Sequence, residues 1–301
     1  MYAKIILDKL SLECENAEMN SLYFLEPLQE IIETSLLTSC IRDEVPVSLI
    51  LVGPSGTAKS MSLARYESTH ILHTDSFSSQ GLFEIAANDK KGELRFLLVP
   101  DINPTMSRRS STVQSATANL LSFTTDGTVR VDDGREVKEA KHAPVGIITA
   151  ATNDMYDKQA KRWFALGLRR RIIPIFFRFS NETTRKLQAL VRDDKIKSSQ
   201  PSKISLDLNM SVRPAIHATA EQDIEKLSIK LAEYLGKLQA FEKQITKWYI
   251  REVVPISPQI TLKNLARAHA LRQKRAECNA SDIDFVSRFV DFCDPEHPRQ
   301  I

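Results

Sequence analysis

Residues 53 to 60 read Gly53-Pro54-Ser55-Gly56-Thr57-Ala58-Lys59-Ser60, which puts two glycines, a lysine and a terminal hydroxyl into eight positions. This is the spacing of a phosphate-cradling loop, G-x-x-x-x-G-K-[S/T], with Ala58 standing where the pattern has its second glycine. Gly53 and Gly56 free the backbone to curl until successive amides aim at anionic oxygens. Lys59 supplies a compact charge for β- and γ-phosphates, and the Ser60 hydroxyl is a ligand for Mg²⁺. Ala58 asks the loop to accommodate one extra methyl. The apolar run Leu49–Val52 precedes the loop and a helix-like Met61-Ser-Leu-Ala-Arg65 follows it, the context such a loop needs.

Positioning that loop calls for a sheet, and the sequence supplies candidate strands. Short, nearly continuous apolar runs occur at Ser48–Val52, His70–His73, Arg95–Val99, Gly146–Ala150 and Ile172–Phe177, separated by helix-like stretches. Runs without alternation suit a parallel sheet covered on both faces, so the fold class is α/β, doubly wound. Thr128–Asp132 and Arg135–Lys138 flank Asp133-Gly134 and predict a hairpin with a two-residue turn, Asp132 facing Arg135. Upstream, Leu22, Leu25, Leu28, Ile31, Ile32 and Leu36 recur at helical spacing. Downstream, residues 195 to 215 read as a loop. Helices then follow: an apolar stripe from Ile224 through Leu235 and Leu238 to Phe241, a second from Leu262 to Arg275, and a third N-capped by Ser281. The organisation expected is an N-terminal helical segment (1–44), an α/β nucleotide-binding domain (45–180) and a helical domain (181–301).

The Ala-Lys-Ser ending of the loop, and a hairpin just ahead of the fourth strand, resemble two groups of AAA+ ATPases. These are the minichromosome maintenance helicases and the MoxR-type proteins, and the resemblance spans residues 45 to 290. It implies an AAA+ P-loop domain with a parallel five-stranded sheet and a hairpin insertion, followed by a small α-helical lid. It also implies ATP and Mg²⁺ as cofactors, held between the subunits of a hexamer-like ring of identical chains. On the same resemblance Asp101, at the end of the third strand, holds Mg²⁺ with Ser60. Asn153, after the fourth strand, orients the lytic water or the γ-phosphate. Arg171, before the fifth strand, reaches the γ-phosphate bound by a neighbouring subunit, with Arg170 the next best match. A lid arginine that senses nucleotide is not evident, and Lys263 and Arg267 are the nearest substitutes. Ala268-His269-Ala270 resembles the lid helix of the helicase group, with His269 read as a packed helix residue.

Two departures bear on rate and on substrate. Such ATPases pair the metal-binding Asp with a Glu that polarises water, but Pro100-Asp101-Ile102 holds a single carboxylate. If Asp101 matches the metal-binding Asp, Ile102 replaces the Glu; if it matches the Glu, Pro100 replaces the Asp; either way hydrolysis is expected to be slow. The hairpin carries Arg130, Arg135 and Lys138 against Asp126, Asp132, Asp133, Glu136 and Glu139, an acidic balance that argues against a DNA-gripping tip. Arg108 and Arg109 read as a solvated positive face.

Composition sets the outer bounds. With 301 residues, 42% apolar, 26% charged and a net charge of +3, the chain is neither disordered nor a strongly basic nucleic-acid binder. No apolar run approaches the ~20 residues of a membrane span, so no membrane partner is expected. Cys14, Cys40, Cys278 and Cys293 lie far apart, which suits reduced thiols in a cytoplasm. The expected activity is a slow ATPase that couples nucleotide state to remodelling of a protein or DNA client. An ATP-gated scaffold and a DNA-remodelling motor or helicase loader are the alternatives.

Overall fold

The computed structural model describes residues 25–132, 134, 136–192, 204–205, 208, 212–242, 245–250 and 253–301. Leu22, Asp133, Arg135 and most of the expected 195–215 loop lie outside the described residues.

Pro27 in its first turn and aliphatic residues at helical spacing set α1, Glu26–Leu37. The chain then enters β1, Ser48–Val52, every residue of which is buried. A loop leads to the short α2, Lys59–Ala64, and to two small strands, β2 (Tyr66–Glu67) and β3 (Ile71–His73). Helix α3, Ser79–Asn88, starts at Ser78, whose hydroxyl accepts from the Gly81 amide. Strand β4, Phe96–Val99, is followed by α4 (Asn103–Met106) and α5 (Ser110–Thr125). The hairpin β5 (Thr128–Asp132) and β6 (Val137–Lys141) precedes β7 (Gly146–Ala151), α6 (Asn153–Ala165) and β8 (Ile172–Arg178). Next come α7 (Asn181–Arg192), β9 (Ile204–Ser205), α8 (Ala218–Gly236), and strands β10 (Lys237–Glu242) and β11 (Ile245–Ile250). Helices α9 (Ile256–Arg272) and α10 (Ala280–Phe292) and a two-residue β12 (Arg299–Gln300) follow.

The main sheet is parallel and runs β12-β8-β1-β7-β4-β3. The five expected strands are all present. The expected five-stranded sheet becomes six, because Arg299–Gln300 pairs beside Phe177–Arg178. That polar dipeptide carries no apolar signature; its backbone pairs with β8, and the Arg299 guanidinium lies 3.9 Å from the Asp291 carboxylate. The side chains of β1 divide between two cores. Leu49 and Leu51 join α1, α8, α9 and α10 on one face, while Ile50 and Val52 join α3, α5, α6 and the hairpin on the other. Each fully buried aliphatic side chain contributes about 1.5–3 kcal/mol.

Four further expectations need correction. The apolar stripe 224–241 is not one helix. Helix α8 stops at Gly236, a poor helix former, and Leu238 and Phe241 continue into β10. The next helix begins at Ile256, six residues before Leu262. The last is capped by Asn279, not Ser281: the Asn279 side chain and the N3 residue Asp282 form a reciprocal capping box. In the β5–β6 hairpin Asp132 lies opposite Val137, not Arg135, so the connection is four residues long and Gly134 takes φ +81° within it.

An ionic cluster ties α1, α9 and α10 together. His269, 4% exposed, stacks on Phe285 with its Nδ1 2.6 Å from Asp282 Oδ1 and its Nε2 3.4 Å from Glu30 Oε1. Arg275 grips both oxygens of Asp282, Arg272 donates twice to Glu33, and Arg288 donates to Glu30. Burial pushes the imidazole pKa down, but the two carboxylates outweigh it and the net shift is upward. His269 is therefore a packed residue, as its helical neighbours suggested.

Candidate functional site at the carboxyl end of the sheet

The chain leaves β1 toward β3 at one edge, returns through β4 and β7, and then crosses over β1 to reach β8. Neighbouring strands β1 and β7 thus send their connections in opposite directions. Leu63 of α2 lies in one core, Tyr156 and Trp163 of α6 in the other. Such a switch point opens a crevice outside the strand carboxyl ends, where open α/β sheets bind ligands. Gly53–Ser60 and Asn153 sit there.

The loop's shape depends on particular residues. A Cβ on Gly53 would lie 2.8 Å from the Phe177 carbonyl oxygen, so only glycine lets the loop pass β8 at this distance. Gly56 takes φ +79°, and Ala58, at φ +55°, also lies in the left-handed region. A non-glycine residue held there stores strain of roughly 1–2 kcal/mol, the kind of outlier that functional loops retain. Thr57 donates to the Pro54 carbonyl and braces the turn.

Lys59 is 8% exposed and folds back over the loop. Its Nζ donates to the Gly53 carbonyl at 2.9 Å, the Pro54 carbonyl at 2.6 Å and Thr57 Oγ1 at 3.1 Å. All three acceptors are neutral. Burial lowers the Lys59 pKa, and the nearby Asp101 carboxylate opposes that shift. A cation held this way keeps its charge available to an incoming anion.

Ser60 Oγ donates to the Pro100 carbonyl at 3.0 Å, linking the loop to the end of β4. Asp101 is exposed next to it and accepts from the Asn103 amide. Ile102 is 1% exposed and its amide donates to the Ala150 carbonyl, so the position after Asp101 belongs to the core. Asn153 is the first residue of α6, exposed, and follows the cap Thr152, whose hydroxyl accepts from Met155.

Arg171 stands elsewhere. Ile172 pairs with Ser48 at the amino end of β1, a strand length or roughly 16 Å from the phosphate loop. Arg169 is buried and bonds the carbonyls of Lys237 and Tyr234, whereas Arg170 and Arg171 are exposed. The structure therefore brings Gly53–Ser60, Asp101 and Asn153 to one end of the sheet and leaves Arg171 at the other. Lys263 and Arg267 are committed to Glu221 and Glu44. Arg108 bonds Phe77 and Ser76 beside a concavity of about 720 Å³ along β3 and α3, which none of the phosphate-loop residues line. The Phe177 carbonyl wall and the Pro100 acceptor were missed in the sequence; both are backbone atoms with no sequence signature.

The hairpin packs Val129 and Ala140 inward and is fastened to α5 by Asn119, which exchanges two hydrogen bonds with the Arg130 backbone. Arg130 is spent on Glu139, and Lys138 on Glu136.

No protein-family model matches this chain, and it matches none of the curated proteins. The buried cysteines Cys40, Cys278 and Cys293 are free thiols. Among the described residues no helix is long and apolar enough to cross a membrane, and no group of three or more His, Cys, Asp or Glu could hold a metal ion.

Proposed function

We propose that this chain is an ATP-binding protein of the AAA+ kind, which takes ATP with Mg²⁺ at the Gly53–Ser60 loop. The observation that carries the reading is the buried Lys59 ammonium, held by neutral acceptors in a loop at the sheet's switch point. Loop amides and Lys59 hold the phosphates, and Ser60 with Asp101 hold the metal. One carboxylate suffices for that, because Mg²⁺ in such sites keeps waters and phosphate oxygens as its other ligands. Bound there, Mg²⁺ neutralises charge developing on the phosphates. Asn153, at the mouth of the same crevice, orients the γ-phosphate or the attacking water.

Two features shape the rest of the proposal. Arg171 is too far from its own loop to touch the same nucleotide, so it serves a neighbouring copy in a ring, hexamer-like in arrangement, where nucleotide state drives a protein or nucleic-acid client. Ile102 is buried where a second acid is expected, so water activation is poor and turnover falls well below the ~1–10³ s⁻¹ common for enzymes. The same burial favours a second reading, an ATP-gated scaffold that barely hydrolyses.

Calorimetry with ATP·Mg tests the reading: Lys59→Ala should weaken binding by about 100-fold or more while the fold persists. Steady-state turnover should be slow and vanish in Asp101→Asn. Wild-type affinity in a folded Lys59→Ala chain would overturn the loop assignment.

A further inference from the structure

The main sheet ends on an open edge. Strand β3 is last in the order β12-β8-β1-β7-β4-β3, so one of its sides has no strand beside it among the described residues. In a parallel ladder the backbone groups of successive residues face opposite neighbours. The His70 carbonyl accepts from Phe96 and the Thr74 amide donates to Leu98, so Leu72 between them faces β4 as well. The outward side therefore presents the Ile71 carbonyl and both backbone groups of His73, which have no hydrogen-bond partner among the described residues. A free edge is a template for another strand, and proteins ordinarily blunt it with charge, proline or a covering segment. Here the middle residue is Leu72, an aliphatic side chain exposed by 37%.

Beside that edge lies the groove of about 720 Å³ between β3 and α3, and every residue of β3 borders it. Phe77, Ile85 and Leu94, which belong to the core behind α3, supply an apolar floor next to Leu72.

Charge is polarised along the groove. At the carboxyl end of β3, Arg108 donates to the Phe77 carbonyl at 3.3 Å and to Ser76 Oγ at 3.0 Å. Both acceptors are neutral, so the guanidinium charge is not cancelled. Glu93 marks the amino end, where its carbonyl lies 2.7 Å from His70 Nδ1. Its exposed carboxylate meets only Lys91, at 3.9 Å, a side chain itself 80% exposed. Glu84, exposed on α3, accepts from the neutral Gln80 amide. Asp89 is already taken by His142 and the Leu94 amide.

We infer that an extended peptide segment docks on β3 as a further strand, parallel to it, with a lysine or arginine near its amino end and a carboxylate near its carboxyl end. Backbone groups at strand spacing beside an apolar floor are met by another backbone, not by a compact molecule. Main-chain hydrogen bonds to Ile71 and His73 hold the guest, and its alternate side chains, facing Leu72, are apolar. The parallel direction sets the basic residue against Glu93 and Glu84 and the carboxylate against Arg108. The antiparallel direction sets like charges together. The proposal does not rest on ATP binding, since no phosphate-loop residue lines this groove.

The test uses the full chain and two fluorescein-labelled, amidated heptapeptides of one composition, Lys-Thr-Val-Thr-Val-Thr-Glu and its reverse, Glu-Thr-Val-Thr-Val-Thr-Lys. Fluorescence anisotropy should show the first binding saturably, one per chain, and about tenfold more tightly than the second. N-methylating the three central Val-Thr-Val amides of the first peptide should abolish its binding, and this change leaves the protein untouched. Glu93→Lys combined with Arg108→Glu should erase the preference for the first peptide. His73→Pro removes an outward N–H and keeps the bonds of Leu72 and Thr74 to β4, so it should weaken the first peptide by about tenfold or more. Equal binding of the two peptides, binding indifferent to N-methylation, or no saturable binding would overturn the proposal. So would self-association of the chain that His73→Pro disperses, because the edge would then belong to a second copy.

Discussion

Two buried nitrogen groups, the Lys59 ammonium in the phosphate loop and the His269 imidazole in the α1–α9–α10 seam, are almost equally hidden, at 8% and 4% exposure. Their surroundings differ in kind. Lys59 faces two backbone carbonyls and a hydroxyl, while His269 is flanked by Asp282 and Glu30. The seam balances charge against charge, so it has nothing left to offer a ligand. The loop solvates its cation without cancelling it. Burial alone does not separate a structural charge from a binding one; the partner's charge does.

Removing one member of the balanced cluster should have the largest effect. Asp282→Ala leaves His269 and Arg275 facing no carboxylate at that point and deletes half of the α10 capping box, so unfolding in urea should show a loss of about 3–5 kcal/mol. A loss under about 1 kcal/mol would break the contrast. Gly53→Ala tests the loop's shape rather than its charge. Its methyl must displace the Phe177 carbonyl, which should cost about 1–3 kcal/mol in the same assay and weaken ATP binding as well. Lys59→Ala should fall within about 1 kcal/mol of wild type in stability, since it deletes a desolvated charge along with its hydrogen bonds, even as nucleotide affinity collapses.

The smallest effect is a pH dependence. The His269 pKa is raised on folding, so its stabilisation is fully present below the unfolded value near 6.5 and is lost as pH rises through the folded value. Glu30 and Asp282 are lowered, so theirs is present above roughly pH 4 and lost on acidification. Urea midpoints should therefore peak in mildly acid solution, and the decline on the alkaline side should shrink in His269→Gln. An identical slope in both proteins would show that another group titrates.

What was legible in the sequence was what is local in the chain. The strand at 48–52 and the loop after it were readable because apolar continuity and glycine spacing are properties of adjacent residues. The end of α8 was not, because Leu238 and Phe241 extend the helical period past Gly236 while the backbone changes direction. Asn279 and Ser281 are both good caps, and only the reciprocal bond with Asp282 decides between them. At the candidate site the side chains were foreseen and the backbone walls, Phe177 and Pro100, were not. The groove beside β3 was invisible, since its borders run from Thr69 to Arg108 and meet only once the sheet has formed.

The loop's internal bonds also set a tempo. With all three ammonium protons of Lys59 already donated to Gly53, Pro54 and Thr57, an arriving anion meets a latch that must open before it can close again around the guest. Docking that waits on such a rearrangement runs slower than collision, and departure is slowed by the same barrier. Residence at this site is then governed by how quickly one lysine lets go of its own backbone.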